Sequence, residues 1–380
     1  MNDDLPPNPA LLPAGLRDLL PPDAETEAAS VEALMAAFGA HGYQRVKPPL
    51  LEFVDSLLAG TGAATAEQTF RLMDPDTRRM MGLRADITPQ IARIATTRLA
   101  GAPRPLRLSY AGQCLRVHGS QLAPDRQLAQ AGIELIGHDS PAADAEMVLV
   151  GAEALASLGL SRLSFDLTLP PLVPTLLEEA GVPAAERGPL ARALDRKDAA
   201  AVGRHGGALA ATLTELLLSA GPAEPALAAL AAANLPPASA ALTARLAATV
   251  EAIRARAPAL KLTVDAIEFR GFRYHTGVSL TVYAPGRHEE LGKGGRYVCG
   301  DSEPATGLTL YPDAILRAAP ARQPQRRAYL PAGGDGAATR AAGFATVAGL
   351  EPVADPAAEA RRLHCTHVVT EHGPVALSGA

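Results

Sequence analysis

Leu83-Arg84-Ala85-Asp86-Ile87-Thr88-Pro89-Gln90-Ile91-Ala92-Arg93 is the densest polar cluster of the chain. Arg84, Asp86 and Thr88 alternate, so in extended backbone they share one face. On that face Asp86 can take an ammonium group and Thr88 can add a hydrogen bond. The same letters also spell a helix start, with Thr88 as the cap and Pro89 at the first helical position. The two readings are compatible, because a capping Thr88 leaves Asp86 free.

Downstream lies a second cluster, Tyr110-Ala111-Gly112-Gln113-Cys114-Leu115-Arg116-Val117-His118, within a strand expected over 104–118 from the alternation of Leu106, Leu108 and Tyr110. Gln130-Ala131-Gly132-Ile133-Glu134 opens another strand, expected over 130–137, which would put Gln130 and Glu134 on one side. An amide and a carboxylate there suit a ligand bearing an amine or an imidazole. Arg116 can grip a carboxylate or phosphate with two hydrogen bonds. Taken alone the signal is weak, since Arg126 to Gln130 reads equally well as a solvated loop. A third cluster, Glu268-Phe269-Arg270-Gly271-Phe272-Arg273-Tyr274-His275-Thr276-Gly277, puts Arg270 and Tyr274 around a glycine turn. The fourth, Gly292-Lys293-Gly294-Gly295-Arg296-Tyr297, is no P-loop, because Lys293 lacks a following Ser or Thr; its plain reading is a tight turn between strands.

Around these clusters the expected order is mixed. A helix spans 24–40, with Val31, Leu34, Met35 and Phe38 on one face and Gly42 as its stop. A short strand runs from Tyr43 to Pro48-Pro49. A helix over 141–158 and a strand over 163–169 follow. Residues 172–258 turn Ala- and Leu-rich with Gly and Pro breaks, the pattern of a helical insertion of several short helices. Strand alternation returns at Val278, Leu280 and Val282, and again at Leu308 and Leu310. The expected organisation is an α+β core in two parts, 1–171 and 259–322, with an antiparallel sheet and flanking helices. The helical insertion of 172–258 divides it, and a short C-terminal α/β domain over 325–380 ends it. That last part has a strand at 326–331, a helix at 351–363 and a strand at 367–369.

The bulk numbers narrow the function. The 380 residues carry a net charge of -5 and no Trp, so no basic surface for a polyanion shows in the totals. Cys114, Cys299 and Cys365 are far apart and form neither a metal-ligand pair nor a disulfide framework. No nucleophile elbow, HExxH, GxGxxG or CxxC is present, and no metal or cofactor is expected. Residues 1–10 carry Asp3 and Asp4 rather than a basic region before an apolar run. No apolar stretch is long enough to cross a membrane. The expected location is the cytoplasm.

Together the clusters resemble the class II aminoacyl-tRNA synthetase core, in its histidyl-tRNA synthetase branch, over about residues 11–320. Gly42-Tyr43 through Pro48-Pro49-Leu50-Leu51-Glu52 is similar to the dimer-forming motif 1. Leu83–Arg93 with Tyr110–Gly137 resembles motif 2 and its preceding loop. Phe269–Thr276 and Leu291–Tyr297 resemble the two histidine-binding segments of that branch. The resemblance implies that Asp86 receives the histidine amine, with Thr88 as the neighbouring hydroxyl. It implies that Gln130 and Glu134 hold histidine in its pocket and that Arg116 engages phosphate and carboxylate. Arg270 matches the catalytic arginine of the synthetases, and Tyr274 the first tyrosine of a pair.

The departures from that pattern decide what function it implies. His118 stands where synthetases carry an acidic residue, Arg273 at an acidic or polar position, and His275 in place of the second tyrosine. Ala314 occupies the place of the motif 3 arginine that stabilises the phosphate charge of adenylate formation. The chain after residue 325 is about half an anticodon-binding domain. This set resembles the non-catalytic, synthetase-like subunits of short-form ATP phosphoribosyltransferases, the first enzymes of histidine biosynthesis. Those subunits join a small catalytic subunit in a hetero-octamer and contribute to feedback inhibition by L-histidine, an allosteric role. The resemblance further implies a dimer through the motif 1 region and no nucleic-acid partner. An active histidyl-tRNA synthetase, or a synthetase-like paralogue serving another acceptor, are the alternatives; Ala314 and the short C-terminus weigh against the first.

Overall fold

The structure, a computed structural model, describes residues 11–119, 124–268, 274–321 and 325–378. The chain divides into two compact units, one ending at Pro320 and one beginning at Ala321.

In the first unit, helix α1, Asp23–Ala40, buries Leu34, Met35 and Phe38. Gly42 closes it at φ 81°, a left-handed conformation in which a Cβ would be strained. The strand expected up to Pro49 shrinks to β1, Gln44–Arg45, because Pro48 and Pro49 offer no N–H to a ladder. A small sheet follows, of β2 (Leu51–Phe53), β3 (Arg71–Met73) and β4 (Met80–Leu83) in the order β2-β4-β3, with helix α2 (Val54–Leu57) beside it. Next come α3 (Thr88–Thr96), β5 (Leu106–Leu115), β6 (Gln127–Ile136), α4 (Pro141–Ser157) and β7 (Ser164–Thr168). Residues 172–256 hold α5 (Leu172–Glu179), α6 (Ala184–Asp195), α7 (Ala199–His205) and α8 (Ala210–Leu218). A two-residue strand β8 (Gly221–Pro222), α9 (Ala223–Ala232) and α10 (Pro237–Arg256) complete that segment. Then β9 (Lys261–Asp265), β10 (Ser279–Tyr283), β11 (Glu290–Cys299), β12 (Glu303–Leu310) and α11 (Pro312–Ala318) close the unit.

Nine strands make one sheet, ordered β1-β5-β6-β12-β11-β10-β7-β9-β8. From β5 to β7 every neighbouring pair is antiparallel, while β1 joins β5 and β9 joins β7 in parallel. The fold is α+β, an antiparallel sheet with flanking helices. Side-chain alternation gives the sheet two different faces. Ala131, Ile133 and Leu135 of β6 point into the main core with Leu34 and Phe38 of α1 and Met147 and Val148 of α4. On the opposite face Leu108, Tyr110, Cys114 and Tyr297 pack with Ile87 and with Ile91 and Ala95 of α3. The second face carries the polar residues of interest.

The Gly292–Tyr297 segment is not a turn. It is the middle of β11, paired on both sides, with Gly294 opposite Leu308 and Leu280. A side chain at Gly294 would meet the Gly307 carbonyl, so glycine here permits close strand approach instead of chain reversal. Likewise, Gln127–Gln130 belongs to β6 and not to a solvated loop.

The second unit is a four-stranded sheet ordered β14-β13-β15-β16, from β13 (Arg327–Leu330), β14 (Ala345–Ala348), β15 (His367–Thr370) and β16 (Gly373–Ala376), with helices α12 (Ala337–Ala341) and α13 (Pro356–Arg362). The helix expected from 351 starts only at Pro356, where the Asp355 carboxylate accepts the N–H groups of Ala357 and Ala358. Its core is small, built on Tyr329, Ala360 and Cys365. Among the described residues no helix is long and apolar enough to cross a membrane.

Candidate functional site

The α3 side of the sheet is organised around one carboxylate. Glu134, in the middle of β6, is 1% exposed. Its Oε1 accepts hydrogen bonds from Thr88 Oγ1 at 3.0 Å and Tyr110 OH at 3.5 Å, and its Oε2 accepts one from Tyr297 OH at 2.9 Å. Tyr110 OH also lies 2.7 Å from Thr309 Oγ1. Four elements, α3, β5, β11 and β12, thus each bring one hydroxyl to the centre. Glycines opposite make the space: a Cβ at Gly307 would collide with the Glu134 carboxylate, and one at Gly132 with the Tyr110 ring. Burial pushes the Glu134 carboxyl up to about 8, and the hydroxyls of Tyr297 and Thr88 only partly oppose it.

Asp86 stands beside this centre. Its Oδ1 accepts the Thr88 N–H at 2.9 Å and its Oδ2 accepts Gln130 Nε2 at 2.8 Å. Gln130 Oε1 in turn accepts the Ile87 N–H at 3.0 Å and the Cys114 thiol at 3.3 Å. Gln130 is fully buried, and its side chain ties the Asp86–Thr88 turn to the sheet. The helix-start reading of Thr88 changes accordingly. α3 begins at Thr88 with no side-chain cap at Ile87. Asp86 takes the free N–H, which releases the Thr88 hydroxyl towards Glu134.

Asp86, Thr88, Glu134 and Tyr274 line one pocket, with His275, Lys293, Tyr297, Thr309 and Tyr311 completing its polar wall. The structure therefore gathers four of the residues singled out from sequence and sets Gln130 behind them. Arg116 does not line the pocket; its Nε donates to the Ala85 carbonyl at 3.4 Å. Arg270, like Arg273, lies outside the described residues. The cavity is about 20 Å³, room for roughly one water. The Tyr274 and His275 rings lie 4.5 Å apart. Burial, followed by the charge of Lys293, pushes the His275 imidazole down to about 4, so at neutral pH it adds no positive charge.

Sequence reasoning singled out neither Lys293 nor the hydroxyls of Tyr110, Tyr297, Thr309 and Tyr311 as pocket residues. Their signal was the alternation Lys293, Gly295, Tyr297 on one strand and Gly307, Thr309 on the next, which requires the strand pairing to interpret. Ala314 is buried in the main core, with no charge to offer a phosphate.

Support from behind the sheet is ionic. Arg296, on the opposite face of β11, places Nη2 2.7 Å from Asp144 Oδ1 of α4, and the two are 4% and 3% exposed. Arg245 of α10 reaches the same carboxylate at 3.3 Å.

The histidyl-tRNA synthetase family profile matches residues 15–315. The ATP phosphoribosyltransferase regulatory subunit of Paramagnetospirillum magneticum strain AMB-1 is 56% identical over 371 residues, spanning 97% of this chain and 98% of that one. The chain belongs to the ATP phosphoribosyltransferase regulatory subunit family. The Gluconobacter oxydans strain 621H subunit is 54% identical, over 95% of this chain and 96% of its own length. Membership in this family sets the chain among regulatory and not catalytic subunits, on a histidyl-tRNA synthetase scaffold. Solved structures agree on the fold. An ATP phosphoribosyltransferase regulatory subunit/histidyl-tRNA synthetase from Bacillus halodurans superposes with a TM-score of 0.78 at 24% identity, covering 92% of this chain and 96% of that one. The histidyl-tRNA synthetase of Nostoc sp. PCC 7120 gives 0.77 at 15% identity, covering 95% and 91%.

Proposed function

We propose that the chain binds the short catalytic subunit of ATP phosphoribosyltransferase, is required for its activity, and carries the site through which L-histidine inhibits the complex. The observation that carries the histidine half is the pocket around Glu134. A buried carboxylate ringed by hydroxyls, with Asp86 beside it, suits a ligand with an N–H-bearing ring at one end and an ammonium at the other. Glu134 meets the imidazole, Asp86 and Thr88 meet the ammonium, and Tyr274 closes the side. Gln130 holds Asp86 in place. A ligand that binds one shape of this pocket better than another biases the assembly towards that shape, and that is what an allosteric subunit needs. The family name supports the partnership. Assembly goes through a dimer of these chains paired by residues 24–58, within a hetero-octamer in the cytoplasm. Exposed Leu50, Met73 and Met80 around the small β2-β4-β3 sheet suit such burial.

The test is a histidine titration of phosphoribosyl transfer by the reconstituted complex, wild type beside Glu134→Gln. A ligand N–H left without its hydrogen bond costs about 1–3 kcal/mol, so the half-inhibitory histidine concentration should rise about five- to a hundredfold. Unchanged inhibition would place the feedback site elsewhere.

A further inference from the structure

On the sheet face opposite Glu134 lies a second cleft, of about 310 Å³, lined by His41, Gly42, Arg107, Glu146, Val150 and Arg256. Arg107 pairs with Leu135, the neighbour of Glu134, so its side chain leaves β5 on the side of α1 and α4. His41 caps the C-terminus of α1, and Arg256 is the last residue of α10. Each thus stands at the helix end that favours a cation. Glu146 and Val150 come from α4. The Glu146 carboxylate is already engaged: Oε1 accepts Arg107 Nε at 2.8 Å and Tyr43 OH at 2.7 Å, and Oε2 accepts Arg107 Nη2 at 2.9 Å. Burial works against its charge, yet the hydrogen bonds of Arg107 and Tyr43 hold the Glu146 carboxyl below its ordinary value. His41 Nε2 lies 3.0 Å from Glu153 Oε2. Arg107 Nη1 and the whole Arg256 guanidinium make no hydrogen bond among the described residues.

We propose that this cleft binds the phosphate group of a small metabolite, held by Arg107 and Arg256. The lining sets two guanidinium groups against one carboxylate, so an arriving anion restores the balance of charge. A carboxylate is fully engaged by a single guanidinium fork, whereas a phosphate group presents three acceptor oxygens and can take N–H groups from two. Anchoring Nε and Nη2 of Arg107 on Glu146 also fixes the plane in which its remaining N–H groups lie, which makes Glu146 a positioning residue. The volume is that of a small-molecule site, and Val150, almost wholly buried, supplies an apolar wall. Beside it a Cβ on Gly42 would meet nothing within 4 Å, so the approach is open. The sheet separates this cleft from the pocket around Glu134, and the assignment does not depend on histidine binding there.

The experiment is calorimetric titration of the full chain, at fixed ionic strength, with inorganic pyrophosphate, ribose 5-phosphate and ribose. It compares wild type with Arg256→Met and with Arg340→Met, an exposed arginine of the second unit whose loss changes the net charge equally. A thermal melt of each variant accompanies the titrations. Wild type should bind at least one of the two phosphates saturably and ribose not at all, and the preferred probe tells a diphosphate from a phosphomonoester. Arg256→Met should melt like wild type and weaken that binding about fivefold or more, while Arg340→Met should leave it unchanged. An Arg256→Met chain that binds like wild type overturns the assignment, and so does equal weakening by both variants, the mark of unspecific charge. A wild type that binds neither phosphate also overturns it; if Arg256→Met then fails to activate the catalytic subunit, the cleft is a protein contact instead.

Discussion

At Glu134 burial and hydrogen bonding pull in opposite directions, and burial prevails, raising the carboxyl to about 8. The sign of the consequence follows from linkage. An unfolded glutamate titrates near its ordinary value of 4.5, so between that pH and about 8 the folded chain holds a proton that the unfolded chain has lost. The stability this group confers is complete below the lower value, falls as pH rises through the window, and is flat above it. Glu134→Gln keeps the shape of the neutral acid without the titration. Thermal melts at pH 5, 6.5 and 8 should therefore show the variant gaining on wild type as pH rises, by at most about 1.4 kcal/mol per pH unit. A difference that stays constant across the series would mean that the carboxylate is ionised throughout.

At the scale of elements, β11 is both the hinge of the site and the part hardest to read in advance. Gly292, Gly294 and Gly295 look like a turn because glycine is a poor strand former. What overrides that preference is pairing with β10 and β12, whose backbones leave no room for side chains there. In sequence Lys293 reads only as a lysine without a P-loop around it, and the sheet register is what puts it in the pocket. By contrast, Asp86, Thr88 and Glu134 were legible, since each lies in a segment whose local pattern fixes its face. Tyr110, Tyr297 and Thr309 alternate correctly, but they meet only through contacts across as many as 199 residues, which no local pattern encodes. Helix α1 and the helices after residue 172 were readable from their apolar spacing, whereas prolines and caps decided the ends of β1 and α13. β11 is also tied to helix α4 through Arg296 and Asp144. Breaking a buried pair leaves a charge stranded, although Arg245 still reaches Asp144. Arg296→Met should thus cost about 3 kcal/mol in chemical denaturation, the lower end for such pairs, and adding Asp144→Leu should recover part of it. Equal stability of wild type and Arg296→Met would show that the pair contributes nothing net.

At the scale of the whole molecule, the pocket around Glu134 lies on a synthetase scaffold in which Ala314 is buried. The exposed apolar side chains around the β2-β4-β3 sheet belong to the same argument. Light scattering of the chain alone at micromolar concentration should give at least a dimer, and Leu50→Asp should shift it towards monomer; a wild-type chain that is monomeric throughout would remove the motif 1 pairing. The most direct test of the central claim is the rate of phosphoribosyl transfer by the short catalytic subunit, measured without histidine, as this chain is titrated in. The account predicts a low rate for the catalytic subunit alone and a saturable rise as the chain is added. A catalytic subunit fully active by itself and indifferent to saturating amounts of the chain would contradict it.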